Sequence, residues 1–380
     1  RRRVQPARDS YQAPWFPLVP ALGVSSCLTL ALVEAIAVPN AGGIAAMWLG
    51  FGGLLYFALF KTRAEIADAS AEAIDPSLGL LRGKSPLVLV PIANPSRARA
   101  LIEMANALAP SKHTRVLLLT NVDSGGSTED AVALLGDAQR VVSEALTLSL
   151  GAGYTPDAII TTSGDAWSQI RRIAQFHECE TLLLGLGQLP SGKNTLSPEL
   201  DDLIDDIDCD VALLRAPDGW ELGRARRIVV PIGGKGEEHL LRARVLGSLS
   251  RTGDRELHFV TVLPATSTDA QQEHAHVRIS RLARTKIRGT PIVEVIRDDD
   301  PVAALRRAVA GADLVILGQK SIGGRRKASS PIAIAIAAEA PGATLLLSSR
   351  RVSVYQPLRD MVGAISELTQ DATSDPSGHR

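Results

Sequence analysis

Two long apolar runs open the chain, and after residue 85 the pattern changes to short apolar runs separated by amphipathic stretches. Residues 15–33 and 42–60 each form 19 positions without a charge. About 20 apolar residues, at 1.5 Å rise each, match a hydrocarbon core of about 30 Å. The pattern therefore predicts a two-helix transmembrane hairpin over residues 15–60. Its connection, residues 34–41, contains the turn signal Pro39-Asn40, and Trp15, Phe16, Trp48 and Tyr56 are candidate interface anchors.

Beyond residue 85, strands are predicted at 87–92, 116–119, 158–161, 181–184 and 211–214, with helices at 96–108, 131–150 and 167–176. Strands spaced by helical stretches imply parallel βαβ units. Five more strands follow, at 228–232, 259–262, 292–296, 314–317 and 344–347. Val90-Pro91-Ile92 is echoed by Val230-Pro231-Ile232. Thirteen positions after Gly185 and Gly318 stand Pro198 and Pro331, each preceded by serine, and thirteen further stand Val211 and Thr344. That gapless agreement identifies a duplication. The organisation read from the sequence is a loop (1–14), two transmembrane helices (15–60), a linker (61–85), a first α/β domain (86–215), a linker (216–226), a second α/β domain (227–350) and a tail (351–380). Each α/β domain is a five-stranded parallel sheet flanked by helices.

Charge sets the expected orientation. No Lys or Arg occurs between Asp9 and Phe60, whereas Arg1, Arg2, Arg3 and Arg8 precede that stretch and Lys61 and Arg63 follow it. The positive-inside rule then places both ends, and residues 61–380, in the cytoplasm of a multi-pass inner or plasma membrane protein. A cleaved signal peptide, suggested by Ala35-Ile36-Ala37, and a pair of buried core helices are the alternatives. The first residue is Arg, which suggests a fragment of a longer chain. The 41 Lys and Arg balance 41 Asp and Glu, so no basic field argues for nucleic acid. Cys27, Cys179 and Cys209 are too widely spaced for a disulfide framework or zinc site.

The run Arg8-Asp9-Ser10-Tyr11-Gln12-Ala13-Pro14-Trp15-Phe16-Pro17-Leu18-Val19-Pro20, leading into an apolar span, resembles the loop before the eleventh helix of amino acid–polyamine–organocation permeases. The span ending Leu54-Leu55-Tyr56-Phe57-Ala58-Leu59-Phe60-Lys61 resembles the twelfth. The repeated five-strand unit, with glycine directly after strand four, resembles the universal stress protein family and its adenine nucleotide alpha hydrolase-like fold. Together the resemblances imply the carboxyl-terminal part of a permease fused to tandem stress-protein-like domains, with dimerisation through an edge strand of those domains.

ATP-binding stress proteins carry Gly-x2-Gly-x9-Gly-Ser/Thr after strand four. Here the second position is Gln188 or Ser321, the third Pro198 or Pro331, and the next Glu199 or Ile332; the acid expected after strand one is Ala93 or Gly233. Proline offers no N–H and Glu199 repels phosphate, so Ser197-Pro198 and Ser330-Pro331 read better as helix caps. The residual anion or nucleotide candidates are Gly318, Lys320, Arg325, Arg326, Lys327 and Ser330 in the second copy, and Gly185 and Lys193 in the first. ATP or another adenine nucleotide is the candidate ligand. His274 and His276 lack a third metal ligand, and no nucleophile–base pair marks an enzyme. The expected function is a transporter's regulatory or dimerisation module, with a homodimer, the lipid bilayer and upstream transporter helices as partners. A free-standing membrane-anchored sensor or scaffold is the alternative.

Overall fold

The computed structural model describes residues 18–56, 87–108, 115–123, 128–151, 154–187, 196–233, 240–251, 254–284, 287, 289–318 and 331–349. It divides into two units, Arg1–Ala64 and Glu65–Arg380.

In the first unit α1 spans Leu18–Ala37 and α2 spans Pro39–Leu55. Only Val38 separates them, and Val38 N donates to Glu34 O at 2.9 Å while Gly42 N donates to Val38 O at 3.1 Å. The predicted connection over 34–41 is thus mostly helix. Pro39 occupies the start of α2, where its missing N–H costs nothing and its fixed φ suits a helix; it begins a helix rather than ending one.

The expected pair of spans is not shown either. Among the described residues no helix is long and apolar enough to cross a membrane. Along α1 the apolar run includes Pro20, Ser25, Ser26, Thr29 and Glu34. Trp15, Phe16 and residues 57–60 of the expected spans lie outside the described residues, as do the loop 1–14, the linker 61–85 and the tail 351–380.

The second unit holds all ten predicted strands. In order they are β1 (Leu87–Pro91), β2 (Arg115–Val122), β3 (Asp157–Thr162), β4 (Thr181–Gly185), β5 (Asp210–Arg215), β6 (Arg227–Pro231), β7 (Glu256–Leu263), β8 (Ile292–Arg297), β9 (Leu314–Gly318) and β10 (Ala343–Ser348). The intervening helices of the first copy are α3 (Pro95–Leu108), α4 (Thr128–Gly151), α5 (Ala166–Phe176) and α6 (Pro198–Asp206). Those of the second are α7 (Leu240–Arg251), α8 (Asp269–Arg284), α9 (Pro301–Val309) and α10 (Pro331–Glu339).

The two predicted sheets are one. Strand order is β3-β2-β1-β4-β5-β10-β9-β6-β7-β8, parallel within each copy and antiparallel at the β5–β10 joint. The fifth strands of the two copies pair with each other inside the chain, leaving β3 and β8 as the outer edges. Helices cover both faces of the central strands, which explains their unbroken apolar runs. Val88, Val90 and Leu118 pack on one side with Val230 and Leu345. Leu87, Leu89 and Leu117 pack on the other with Val229 and Leu346. Both core layers thus pass through the joint without interruption.

The predicted linker 216–226 is part of this joint. Trp220 Nε1 donates to Asp313 O at 3.1 Å, and Leu222 N donates to Glu103 Oε2 at 2.6 Å. A single turn of tight helix, Leu222–Arg224, buries Leu222. Across the joint, Arg244 of α7 meets Glu180 at 2.5 Å and the buried Asp210 at 4.0 Å.

Candidate functional site

Open parallel sheets bind ligands beyond the carboxyl ends of their strands, where the strand order reverses. The order found here places that crevice between β1 and β4 in the first copy and between β6 and β9 in the second. Buried hydroxyls brace both rims alike: Thr120 Oγ1 donates to Ile92 O at 3.2 Å, and Thr261 Oγ1 donates to Ile232 O at 3.0 Å. Ala93 and Gly233 stand exposed where an acid was expected.

Of the predicted anion ligands, Gly185 and Gly318 close β4 and β9 at this rim. Lys193, Lys320, Arg325, Arg326, Lys327 and Ser330 lie outside the described residues, so their convergence on the crevice is not described. The two glycines meet different neighbours. A Cβ on Gly185 would lie 3.2 Å from Leu101 Cδ1. A Cβ on Gly318 would run into the Arg242 guanidinium, with Cζ at 2.8 Å and Nε at 3.1 Å.

Arg242 has a counterpart that sequence reasoning missed. Arg97 Nη1 donates to Leu186 O at 3.2 Å, directly after β4, and lies 3.5 Å from where a Cβ on Gly187 would stand. Both arginines open the repeated run Arg-Ala-Arg, at 97–99 in α3 and 242–244 in α7, with Ala98 and Ala243 fully buried. The signal was in the sequence. It escaped because Arg97 follows Pro91 by six positions and Arg242 follows Pro231 by eleven, which no gapless comparison aligns.

Three of the described helix starts are occupied by the chain itself. Ser197 caps α6 by accepting from Leu200 N at 3.3 Å, with Pro198 and Glu199 in its first turn. A carboxylate there complements the helix dipole and stands where a phosphate would sit. Asp300 caps α9 through Val302 N and Ala303 N, both at 3.0 Å, ahead of Pro301. Asp165 caps α5 through Trp167 N at 3.0 Å and Ser168 N at 3.2 Å. Hydrogen bonds from Ser168 hold the Asp165 carboxyl below its ordinary range.

Other candidate chemistry stays dispersed. His274 and His276 are two apart on α8, which turns them to opposite sides of the helix. Among the described residues no three His, Cys, Asp or Glu side chains group as a metal site. Cys179 is buried, and burial pushes its thiol up to about 11, away from nucleophile chemistry. Phe176 packs edge-on against His177, with ring centroids 5.1 Å apart.

No protein-family model and no curated protein sequence matches the chain. Solved structures do. A universal stress protein from Archaeoglobus fulgidus DSM 4304 superposes with a TM-score of 0.50 at 14% identity, covering 69% of this chain and 98% of that one. The cytoplasmic domain of a prokaryotic cation chloride cotransporter aligns at 16% identity and a TM-score of 0.48, over 70% of this chain and 95% of that one. A putative universal stress protein from Pseudomonas aeruginosa UCBPP-PA14 aligns at 15% identity and 0.46, over 77% and 99%. At such identities the Archaeoglobus likeness speaks for architecture: the α/β unit has the universal stress protein fold.

Proposed function

We propose that the chain is the carboxyl-terminal region of a membrane secondary transporter of the amino acid permease type. The joined α/β pair serves it as a non-catalytic regulatory and assembly module on the cytoplasmic side. The observation that carries this reading is the surface of α2. Met47, Trp48 and Leu49 are 66%, 66% and 78% exposed in succession. Successive helical residues are rotated by about 100°, so three in a row face most of the circumference. A helix that is apolar all round requires apolar surroundings on every side. Ile44, Phe51 and Leu54 extend that surface, and the sequence stays apolar through Phe60.

The hydroxyls of α1 fit the same surroundings. Ser25 Oγ donates to Leu22 O at 3.3 Å, Ser26 Oγ to Gly23 O at 3.0 Å and Thr29 Oγ1 to Ser25 O at 2.7 Å. A hydroxyl turned onto its own helix backbone is compatible with lipid or with a neighbouring helix. Two helices alone do not form a path with alternating access, so α1 and α2 complete a bundle rather than conduct.

Fractionation of cells expressing the chain tests this reading. The chain is expected in the membrane pellet, resistant to carbonate at high pH and released by detergent. Recovery as a monodisperse species in the high-speed supernatant overturns it. The intact mass of the native polypeptide tests the transporter assignment. A mass well above 40.3 kDa, with about ten further spans before Arg1, is expected, whereas a mass near 40.3 kDa leaves a free-standing anchored module.

A further inference from the structure

In both copies an arginine from the helix after the first strand reaches the crevice at which this fold class receives ligands. Arg97 is bonded to the carbonyl of Leu186 and lies beside Gly187. The guanidinium of Arg242 is seated on Gly318 so closely that a Cβ there would have to displace it. Both side chains are half-buried. The same residue in the same Arg-Ala-Arg run does this twice, although the preceding loops differ in length, so the placement follows the helix and not the loop.

We propose that Arg97 and Arg242 are resident occupants of the two crevices. The Arg242 guanidinium takes the space over the glycine after strand four, and the Arg97 guanidinium takes the space beside Gly187, two positions beyond the equivalent glycine, where the phosphate chain of a nucleotide would approach. Gly318 is then required by the arginine: it provides the flat seat on which the guanidinium lies, and it remains glycine without any phosphate to bind. Arg97 also ties its helix to the loop after the fourth strand through the Leu186 carbonyl. The inference concerns the α/β unit and does not depend on membrane attachment.

The test uses the full chain in detergent, with fluorescently labelled ATP as the probe and thermal melting as a second readout. The unsubstituted chain is expected to show no saturable ATP binding up to millimolar concentration. Gly318→Ala is expected to lower Tm by about a degree or two through displacement of the guanidinium, and to leave it unchanged in an Arg242→Ala background, where the guanidinium no longer meets the added methyl. Should Arg242→Ala not fold, Arg242→Gln provides the background, since it shortens the side chain and keeps a polar end. Saturable ATP binding by the unsubstituted chain, competed by unlabelled ATP, overturns the proposal. So does an equal loss of Tm from Gly318→Ala with and without Arg242. Fractionation reads only the helix pair, so failure of the membrane assignment leaves this outcome distinct.

Discussion

Leu213 of β5 lies directly opposite Leu346 of β10, and the two are counterparts in the duplication, 133 positions apart, as are Gly185 and Gly318. Arg215 lies opposite Thr344 and Val211 opposite Ser348, which places a local twofold between the two leucines. The chain is thus folded as a self-paired dimer of its own halves. An antiparallel joint of fifth strands lets both outer edges, β3 and β8, be equivalent, as an isologous interface demands.

Leu213 and Leu346 are each 1% exposed. Leu213→Ala and Leu346→Ala should each cost about 2–5 kcal/mol by opening a cavity in the joint. Being in contact, the two should be clearly non-additive when combined. Urea unfolding of the three variants measures this, and additive losses would argue against the pairing.

The ion pair of Arg244 with Glu180 spans the joint beside the buried Asp210. Arg244→Ala removes the cation that faces Glu180 and Asp210 and is expected to cost about 1–3 kcal/mol. Arg244→Lys should recover part of that loss, because the charge returns without the planar fork. Chemical denaturation at neutral pH separates the two variants.

Glu178 holds φ at +49° in the turn between α5 and β4. This left-handed conformation costs an ordinary residue about 1–2 kcal/mol. Glu178→Gly is therefore expected to leave stability unchanged or raise it slightly, while Glu178→Val should lower it by at least about 1 kcal/mol. Melting temperatures of the two variants decide the matter, and a destabilised glycine variant would count against the strained turn.

The lowered Asp165 carboxyl links stability to pH. Because its folded value lies below the unfolded one, its contribution is present above the unfolded value of about 3.9 and disappears as pH falls through the folded value. Asp165→Asn keeps the cap oxygen but removes the titration. The variant should therefore lose less stability than the unsubstituted chain between about pH 4 and the folded value. Parallel acid titrations followed by circular dichroism make the comparison.

The three thiols should react unequally. Cys27 is exposed on α1, whereas Cys179 and Cys209 are buried. With its thiol pushed up to about 11, Cys179 is protonated at neutral pH and unreactive until unfolding. Mass spectrometry after a short exposure to maleimide at pH 7 should find adducts at Cys27 and none at the other two. In membranes, Cys27 should require a membrane-permeant reagent, and labelling by an impermeant one would argue against its apolar placement.

Much of the fold was legible because local chemistry writes it down. Central strands buried on both faces read as unbroken apolar runs, and all ten were found within a few residues of their observed bounds. The serine cap was equally clear, since Ser197-Pro198 combines a side-chain acceptor with a residue that needs no donor. Pro39 misled for the same reason, as proline after an apolar run marks either the end of one helix or the start of the next. Most of the predicted anion ligands fall outside the described residues, and the glycines alone did not reveal what lies on them.

What the sequence determined by itself is the duplication, the order and type of the α/β elements, and an apolar amino-terminal segment unlike the rest. Those properties depend on periodicity, capping and composition, which are local. What only the tertiary structure decided is that the two sheets fuse through β5 and β10 about a twofold at Leu213 and Leu346, and that Arg97 reaches the Leu186 carbonyl while Arg242 lies on Gly318. Both join residues far apart in the chain. A pairing between edge strands is set by backbone hydrogen bonds that carry no side-chain code, and an arginine's reach depends on where its helix comes to rest.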